Sequence, residues 1–326
     1  MKLPFNREIL NLNAKKEVDK IVDFINEQVR ENKKDGIVVG LSGGIDSALA
    51  CALSVEAVGK ENVFGLIMPE KDSNPVSKEY ALNLANILGI DHEVVDITPT
   101  LEAFGTYEKR DRIISEIYPD YDPDSHRIKI TLPENIIEKG SFNFYVLTLE
   151  GDEGVVYEGR LNKRDLNGII AATDSKQRTR MMHVYYHAEK LNRFVCGTTN
   201  RPEILQGFFV KYGDGGVDIE PLAHLYKCQI YQLSKHLGIP QEIMDRMPSP
   251  DTFNSYVGDE EFFFRMPYDM VDLLLYSWEY DVPMSEVCEA LDLEKENVER
   301  VYRDFESKFK ATSCLRKLPP SLLPTG

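Results

Sequence analysis

The chain has 326 residues, with 38 Lys and Arg against 54 Asp and Glu, a formal net charge of −16. This length supports one large domain or two small ones, and such acidity argues against coating of nucleic-acid phosphate. The 42% apolar and 28% charged content is that of a globular protein and too apolar for disorder. No apolar run reaches the roughly eighteen residues of a membrane helix, and MKLPFNREILNLN lacks a signal-peptide core. Cys51, Cys196, Cys228, Cys288 and Cys314 are dispersed with no CxxC pair. The expectation is a cytoplasmic protein with reduced thiols, with neither a membrane nor a nucleic-acid partner.

Val18, Ile21, Val22, Ile25 and Val29 share one helical face, so residues 14–33 read as an amphipathic helix. GIVVGLS (36–42) reads as a buried strand and Ser47–Val58 as a helix. Val63–Met68 is a second strand, Ser77–Leu88 a helix and His92–Ile97 a third strand. This alternation predicts βαβ units around an open parallel sheet sandwiched by helices, an α/β fold. Residues 118–165 break the pattern: HRIKITL, FNFYVLTLE and GVVYEGRL read as short antiparallel strands, a small β-rich insertion. The α/β pattern resumes with a helix over 166–191, a strand at Arg193–Thr198 and a helix near 225–238. Beyond Pro240 the chain reads as a helical region, with helices at 268–280, 284–291 and 295–309 and an extended Pro-rich tail. The division is therefore 1–117 with 166–326 as the main domain, and 118–165 as the insertion.

The most informative stretch runs from Gly40 through Leu41, Ser42, Gly43, Gly44, Ile45 and Asp46 to Ser47, where the first strand hands over to a helix. Open α/β sheets bind ligands at such places. The glycines admit a phosphate close to backbone amides, and the helix start adds partial positive charge. Ser42 and Ser47 can donate to the same anion. Asp46 would repel it unless a cation intervenes, which points to Mg²⁺. A tight turn with an N-cap is the plain alternative for a lone SGG; no Walker loop and no GxGxxG is present.

This loop resembles the SGGxDS pyrophosphate loop of the ATP pyrophosphatase superfamily, whose members have a Rossmann-like sheet. A second block, CGTTNRPEILQGFFVKYGDGGVDIEPLAHLYKCQ (196–229), resembles the ordered pattern of the NAD synthetase family, with KQRTRMM (176–182) before it. The resemblance implies that residues 40–47, Thr198, Lys227 and Ser249 hold ATP. It implies that Asp46 and Glu203 bind Mg²⁺, and that Arg178, Lys211 and Asp218 contact deamido-NAD. Asp46, Lys227 and Asp218 then form the catalytic set. The implied activity is a carbon–nitrogen ligase: ATP adenylates the nicotinate carboxylate, pyrophosphate leaves, and ammonia displaces AMP. The implied assembly is a homodimer, for which helix 14–33 and the C-terminal helices would supply the surface. No glutaminase domain precedes the first helix, so ammonia is expected either free or from a separate amidohydrolase chain.

Three features depart from the family pattern. Cys314, Leu315 and Arg316 stand where the tail has His-Lys-Arg, leaving Arg316 and Lys317 to compensate. The closing loop reads SYVGDEEFFF without its Gln, and the pattern has no counterpart of 118–165. A related ligase acting on another carboxylate, and a non-catalytic nucleotide-binding module, are the alternatives. His183 and His187, at i and i+4, are expected to be packing residues rather than metal ligands. Phe262–Phe264 is expected to pack the C-terminal helices, and Cys228 a helix position. Residues 171–235 hold nine Lys or Arg and six Asp or Glu, a net of +3, leaving −19 elsewhere. This suggests a cationic pocket for small phosphate-bearing ligands on an acidic body.

Overall fold

The computed structural model describes residues 4–132, 135–137 and 144–322. In chain order the main domain begins α1 (Ala14–Glu31), β1 (Ile37–Gly40), α2 (Ile45–Val58), β2 (Val63–Ile67), α3 (Pro75–Leu88) and β3 (Asp91–Val94). Residues 98–117, for which the sequence reading set no element, form α4 (Thr98–Phe104) and α5 (Thr106–Ile117). They are separated by Gly105 in a left-handed conformation at φ 76°. Then follow β4 (Arg127–Thr131), β5 (Val146–Gly151) and β6 (Gly154–Arg160), the long α6 (Lys163–Lys190), β7 (Phe194–Cys196) and α7 (Arg201–Gln206). The chain closes with α8 (Lys227–His236), α9 (Gln241–Met244), α10 (Tyr268–Glu279), α11 (Met284–Leu291) and α12 (Lys295–Ala311).

The parallel sheet has the order β3-β2-β1-β7. Alternate residues of β1 serve opposite faces, as a two-sided buried strand requires. Ile37 and Val39 pack with α1, α2, α3 and α8, whereas Val38 packs with Leu101, Tyr107, Val184 and Ala188 of α4, α5 and α6. The chain runs outward from β1 through β2 to β3, then returns to the other side of β1 as β7. The strand order therefore reverses between β1 and β7, the place where open sheets leave a crevice at the strands' carboxyl ends.

The segment expected to be an insertion forms a separate antiparallel sheet of order β4-β5-β6. It agrees with the three predicted strands, although Phe142 and Asn143 of the second lie outside the described residues. The C-terminal helices share a core with Phe5 and Leu10, centred on Leu274, Val287, Val301 and Phe305.

The expected dimer surface needs correction. Val18, Ile21 and Ile25 of α1 are buried in the main core, so its apolar face is already covered within the chain. Phe24 of α1 and Phe309 of α12 remain partly exposed, and Met182 and Tyr186 of α6 and nearby Tyr212 are each more than half exposed.

Candidate active site

Two loops meet at the switch point. Residues 41–44 link β1 to α2, and residues 197–200 follow β7. Gly43 has φ +74°, and a Cβ there would stand 2.2 Å from the Ser77 carbonyl oxygen, so only glycine fits. The Gly44 N–H donates to Ser42 Oγ (3.2 Å), and Ser47 Oγ donates to the Gly44 carbonyl (2.9 Å). Ser42 and Ser47 hydroxyls lie 3.0 Å apart. Leu41 and Ile45 are buried and anchor the loop. Gly44 caps α2 without a side-chain hydrogen bond, so no cap oxygen competes for the helix start.

Asp46 sits in the first turn of α2. Its Oδ2 accepts from Lys227 Nζ (2.6 Å) and its Oδ1 from Asn200 Nδ2 (3.0 Å). Lys227 begins α8, where Asp272 of α10 accepts from the backbone N–H of Lys227 (3.2 Å) and Cys228 (2.7 Å). Asn200 caps α7 reciprocally with Glu203: its Oδ1 accepts from the Glu203 N–H (3.2 Å). In return Glu203 accepts from the Asn200 N–H (3.1 Å) and from Asn200 Nδ2 (2.8 Å). One amide thus bridges Asp46 and Glu203. Sequence reasoning missed Asn200, although N-x-x-E is a capping-box spacing that could have found it.

A third carboxylate completes the cluster. Asp259 accepts from Tyr268 OH (2.8 Å), while its other oxygen is buried with no hydrogen-bond partner. Burial, above all, raises Asp259 to about 6 against the pull of Lys227. Burial and then the Asp46 charge push Glu203 well above the carboxylate range. Burial works against the Lys227 ammonium, yet Asp46, Glu203 and Asp259 hold it above its ordinary range. One ammonium faces a surplus of acidic groups, two of which burial pushes toward the protonated form.

That surplus fits a divalent cation, but no group of three His, Cys, Asp or Glu with metal-ligand spacing exists among the described residues. The residues suit an ion that takes one or two carboxylates and completes its shell with substrate phosphates and water, as Mg²⁺ does.

The remaining predicted residues fall in two places. Thr198 is half-buried on the loop after β7, beside the first cluster in sequence. Ser249 lies on the loop between α9 and α10, where its Oγ accepts from the Asp251 N–H (3.3 Å). Arg178 lines a second site, an open groove of about 490 Å³, with Met181, Met182, Tyr185 and Tyr212, and Lys211 and Asp218 adjoin its lining residues Tyr212 and Val217 in sequence. Arg178 Nε donates to the Lys211 carbonyl (3.3 Å), and Tyr185 OH donates to Asp218 Oδ1 (3.0 Å). Asp218 Oδ2 accepts from the Val195 N–H at the edge of β7 (2.8 Å), so both oxygens are engaged.

The changed tail also has a definite position. Lys211 Nζ donates to the carbonyls of Cys314 (2.8 Å) and Lys317 (3.4 Å). Arg316, expected as a compensating cation, instead bonds the carbonyls of Ile204 and Leu205 and the Thr312 hydroxyl. His187 bonds Glu93 and the His183 carbonyl and stacks on Phe64, as a packing residue does. Phe263 and Phe264 pack against Phe208. Burial and Asp272 raise the Cys228 thiol, which argues against a reactive thiolate.

A parallel sheet with a glycine loop and an unobstructed helix start at its switch point defines a nucleotide-handling α/β protein. The NAD synthase family pattern matches residues 17–120 and 124–314. The NH(3)-dependent NAD(+) synthetase of Rhizobium meliloti (strain 1021) is 44% identical over 99% of this chain and 96% of its own length. That of Mesorhizobium japonicum is 42% identical over 95% of this chain and 97% of its own. The chain belongs to the NAD synthase family. Both the family match and the Rhizobium alignment run through the β-rich segment. Among solved structures, NMN synthetase from Francisella tularensis has a TM-score of 0.65 at 23% identity, over 95% of this chain and 99% of its own. An NH3-dependent NAD synthetase from Campylobacter jejuni has a TM-score of 0.63 at 24% identity, over 96% and 100%. These two share the fold.

Proposed function

We propose that the protein is an ammonia-dependent NAD synthase, a carbon–nitrogen ligase that uses ATP to amidate deamido-NAD. A carboxylate oxygen of the nicotinate attacks the α-phosphorus of ATP, and the α–β phosphoanhydride bond breaks to release pyrophosphate. Ammonia then attacks the acyl carbon, AMP leaves with the carboxylate oxygen, and the added nitrogen loses a proton to give the amide. The observation that carries this reading is buried Lys227 Nζ, 2.6 Å from Asp46 and immediately beyond the glycine loop.

The loop 40–47 would hold the phosphates of ATP, with Thr198 and Ser249 as further contacts. Lys227 would neutralise charge growing on the reacting phosphate, the term that dominates such catalysis. Asp46, with Glu203 behind it, would hold Mg²⁺, which when bound neutralises phosphate charge. Arg178 and Lys211 would meet the dinucleotide, deamido-NAD. Asp218 would orient the incoming nitrogen or the nascent amide. The second groove has apolar walls and exposed Tyr212 and Met182, which fits a site finished by a second copy and supports a homodimer. The five free cysteines support a reducing, cytoplasmic setting. No helix among the described residues is long and apolar enough to cross a membrane.

The test is an assay with deamido-NAD, ATP, Mg²⁺ and ammonia. NAD, AMP and pyrophosphate should form in equal amounts, with no pyrophosphate when deamido-NAD is omitted. Pyrophosphate release that requires some other carboxylic acid, and none with deamido-NAD, overturns this reading.

A further inference from the structure

The loop between α9 and α10 closes on itself. The Asp259 N–H donates to the Pro248 carbonyl (3.0 Å), and Tyr256 OH donates to the Met247 carbonyl (3.2 Å). Residues 247–259 are therefore a compact loop with neighbouring ends. One shoulder lies at the glycine loop: Arg246 donates to the Gly43 carbonyl (3.4 Å) and to Ser77 Oγ (2.8 Å). Asp251 there accepts from the Asn74 N–H (3.0 Å) and Ser77 Oγ (2.9 Å). The other shoulder carries Asp259, one of the carboxylates around Lys227.

The body of this loop rests on the small antiparallel sheet. Phe253 and Val257 are buried in one cluster with Ile128, Ile130, Leu147 and Leu149. β4 is an edge strand, and its free edge is paired by the loop. The Ile128 N–H donates to Asn254 Oδ1 (2.7 Å), and the Ser255 N–H donates to the Ile128 carbonyl (3.2 Å). Ser255 Oγ donates to Glu150 Oε2 of β5 (2.7 Å), and the Leu132 N–H donates to the Glu261 carbonyl (3.0 Å). From the main domain, buried Lys176 reaches the Thr252 carbonyl (2.8 Å) while paired with Glu70 and Asp72.

We propose that the three-stranded sheet is the docking platform of this loop. Asn254 and Ser255 are positioning residues that set how much of the time the loop is closed, with Arg246 and Asp259 at the nucleotide site. The proposal deepens the functional reading above, since it takes the ligand under the loop to be ATP. A loop with no platform orders itself only when ligand binds and gives up affinity in doing so. Here a strand edge and two apolar anchors hold the ordered form beforehand.

Asn254→Leu removes the acceptor of the Ile128 N–H (2.7 Å) and the longer donor contact to the His126 carbonyl (3.4 Å), whereas Asn254→Asp keeps the acceptor and loses the donor. Each variant is followed by hydrogen exchange of amides 247–258 with and without MgATP, by calorimetric MgATP binding, and by kcat and KM for ATP. One lost hydrogen bond corresponds to about fivefold in the opening equilibrium. Asn254→Leu should speed exchange in the free enzyme about fivefold and raise the Kd and KM for ATP similarly, with a smaller change in kcat. Asn254→Asp, which keeps the shorter bond, should recover most of both. Ser255→Ala, which deletes one oxygen and no apolar contact, should move the same readouts in the same direction and serves if the leucine variant fails to fold. Unchanged loop exchange in the folded variants, or a loss of the same size in Asn254→Asp as in Asn254→Leu, overturns the platform. Exchange and MgATP binding need no acceptor substrate. Failure to make NAD from deamido-NAD, with the loop still protected by ATP and still sensitive to Asn254 and Ser255, would defeat the proposed activity alone.

Discussion

Lys227→Met keeps most of the side-chain length and removes the charge. Nζ is buried 2.6 Å from Asp46, with Glu203 and Asp259 contributing to its field. Breaking a buried ion pair by removing one partner costs about 3–5 kcal/mol. Two neighbours moderate this loss of stability. Glu203 and Asp259 are already pushed toward the protonated form, and deleting the ammonium pushes them further, so protons replace part of the missing charge. The stability deficit should therefore lie near the lower end of that range and shrink as pH falls. Catalysis has no such relief, because a proton on a carboxyl does not supply a cation at the phosphate. Losing a preorganised charge of this kind costs about 3–4 kcal/mol of transition-state stabilisation, roughly 10²–10³ in kcat. Urea unfolding at pH 6 and pH 8 measures the first quantity, and pyrophosphate release with MgATP and deamido-NAD measures the second. A folded Lys227→Met enzyme releasing pyrophosphate within about threefold of wild type would refute a role for Lys227 at the reacting phosphate.

Outside that cluster, burial and then the Asp214 charge raise Glu220 from 4.5 to about 8, and its Oε2 is buried without a partner. Because the folded pKa is the higher one, the folded state binds the extra proton between these values, and stability falls as pH rises through them by up to about 1.4 kcal/mol per unit. Glu220→Gln should flatten that slope between pH 5 and 8 in urea midpoints; an unchanged slope would show that Glu220 ionises freely. Tyr186→Glu places a charge on the exposed face of α6. It should shift the sedimentation coefficient to that of a monomer while calorimetric MgATP binding persists, and an unchanged dimer would exclude this face as the interface.

Much of the architecture was legible from local patterning. The β-branched run at 36–42, the Ala-rich helix after it and the recurring strands predicted the parallel sheet, and all three strands of the insertion were readable. α4 and α5 were not. TPTLEAF is one short helix opening on a Thr-Pro, and its partner packs largely through Tyr107, Arg110 and Ile114, so neither has a strong repeating apolar face. The apolar face of helix 14–33 packs within the chain for a related reason: an amphipathic pattern states that a face is covered, not by what.

For the site, sequence determined chemistry and tertiary structure determined company. The order SGGIDS after a strand, and the resemblance of the 196–229 block to the NAD synthetase pattern, singled out the charged residues. Only the fold brought Asp46 and Lys227, far apart in sequence, to 2.6 Å. Only the fold divided the predicted residues between a carboxylate–lysine cluster and a second groove. It also committed Arg316 to backbone carbonyls and brought Asn200, Asp259 and Arg246 to the glycine loop and its lysine. The net charge of −16 follows the same division. Composition counts charges, whereas the fold sets which of them are buried beside one another, as Lys227 is with Asp46, Glu203 and Asp259.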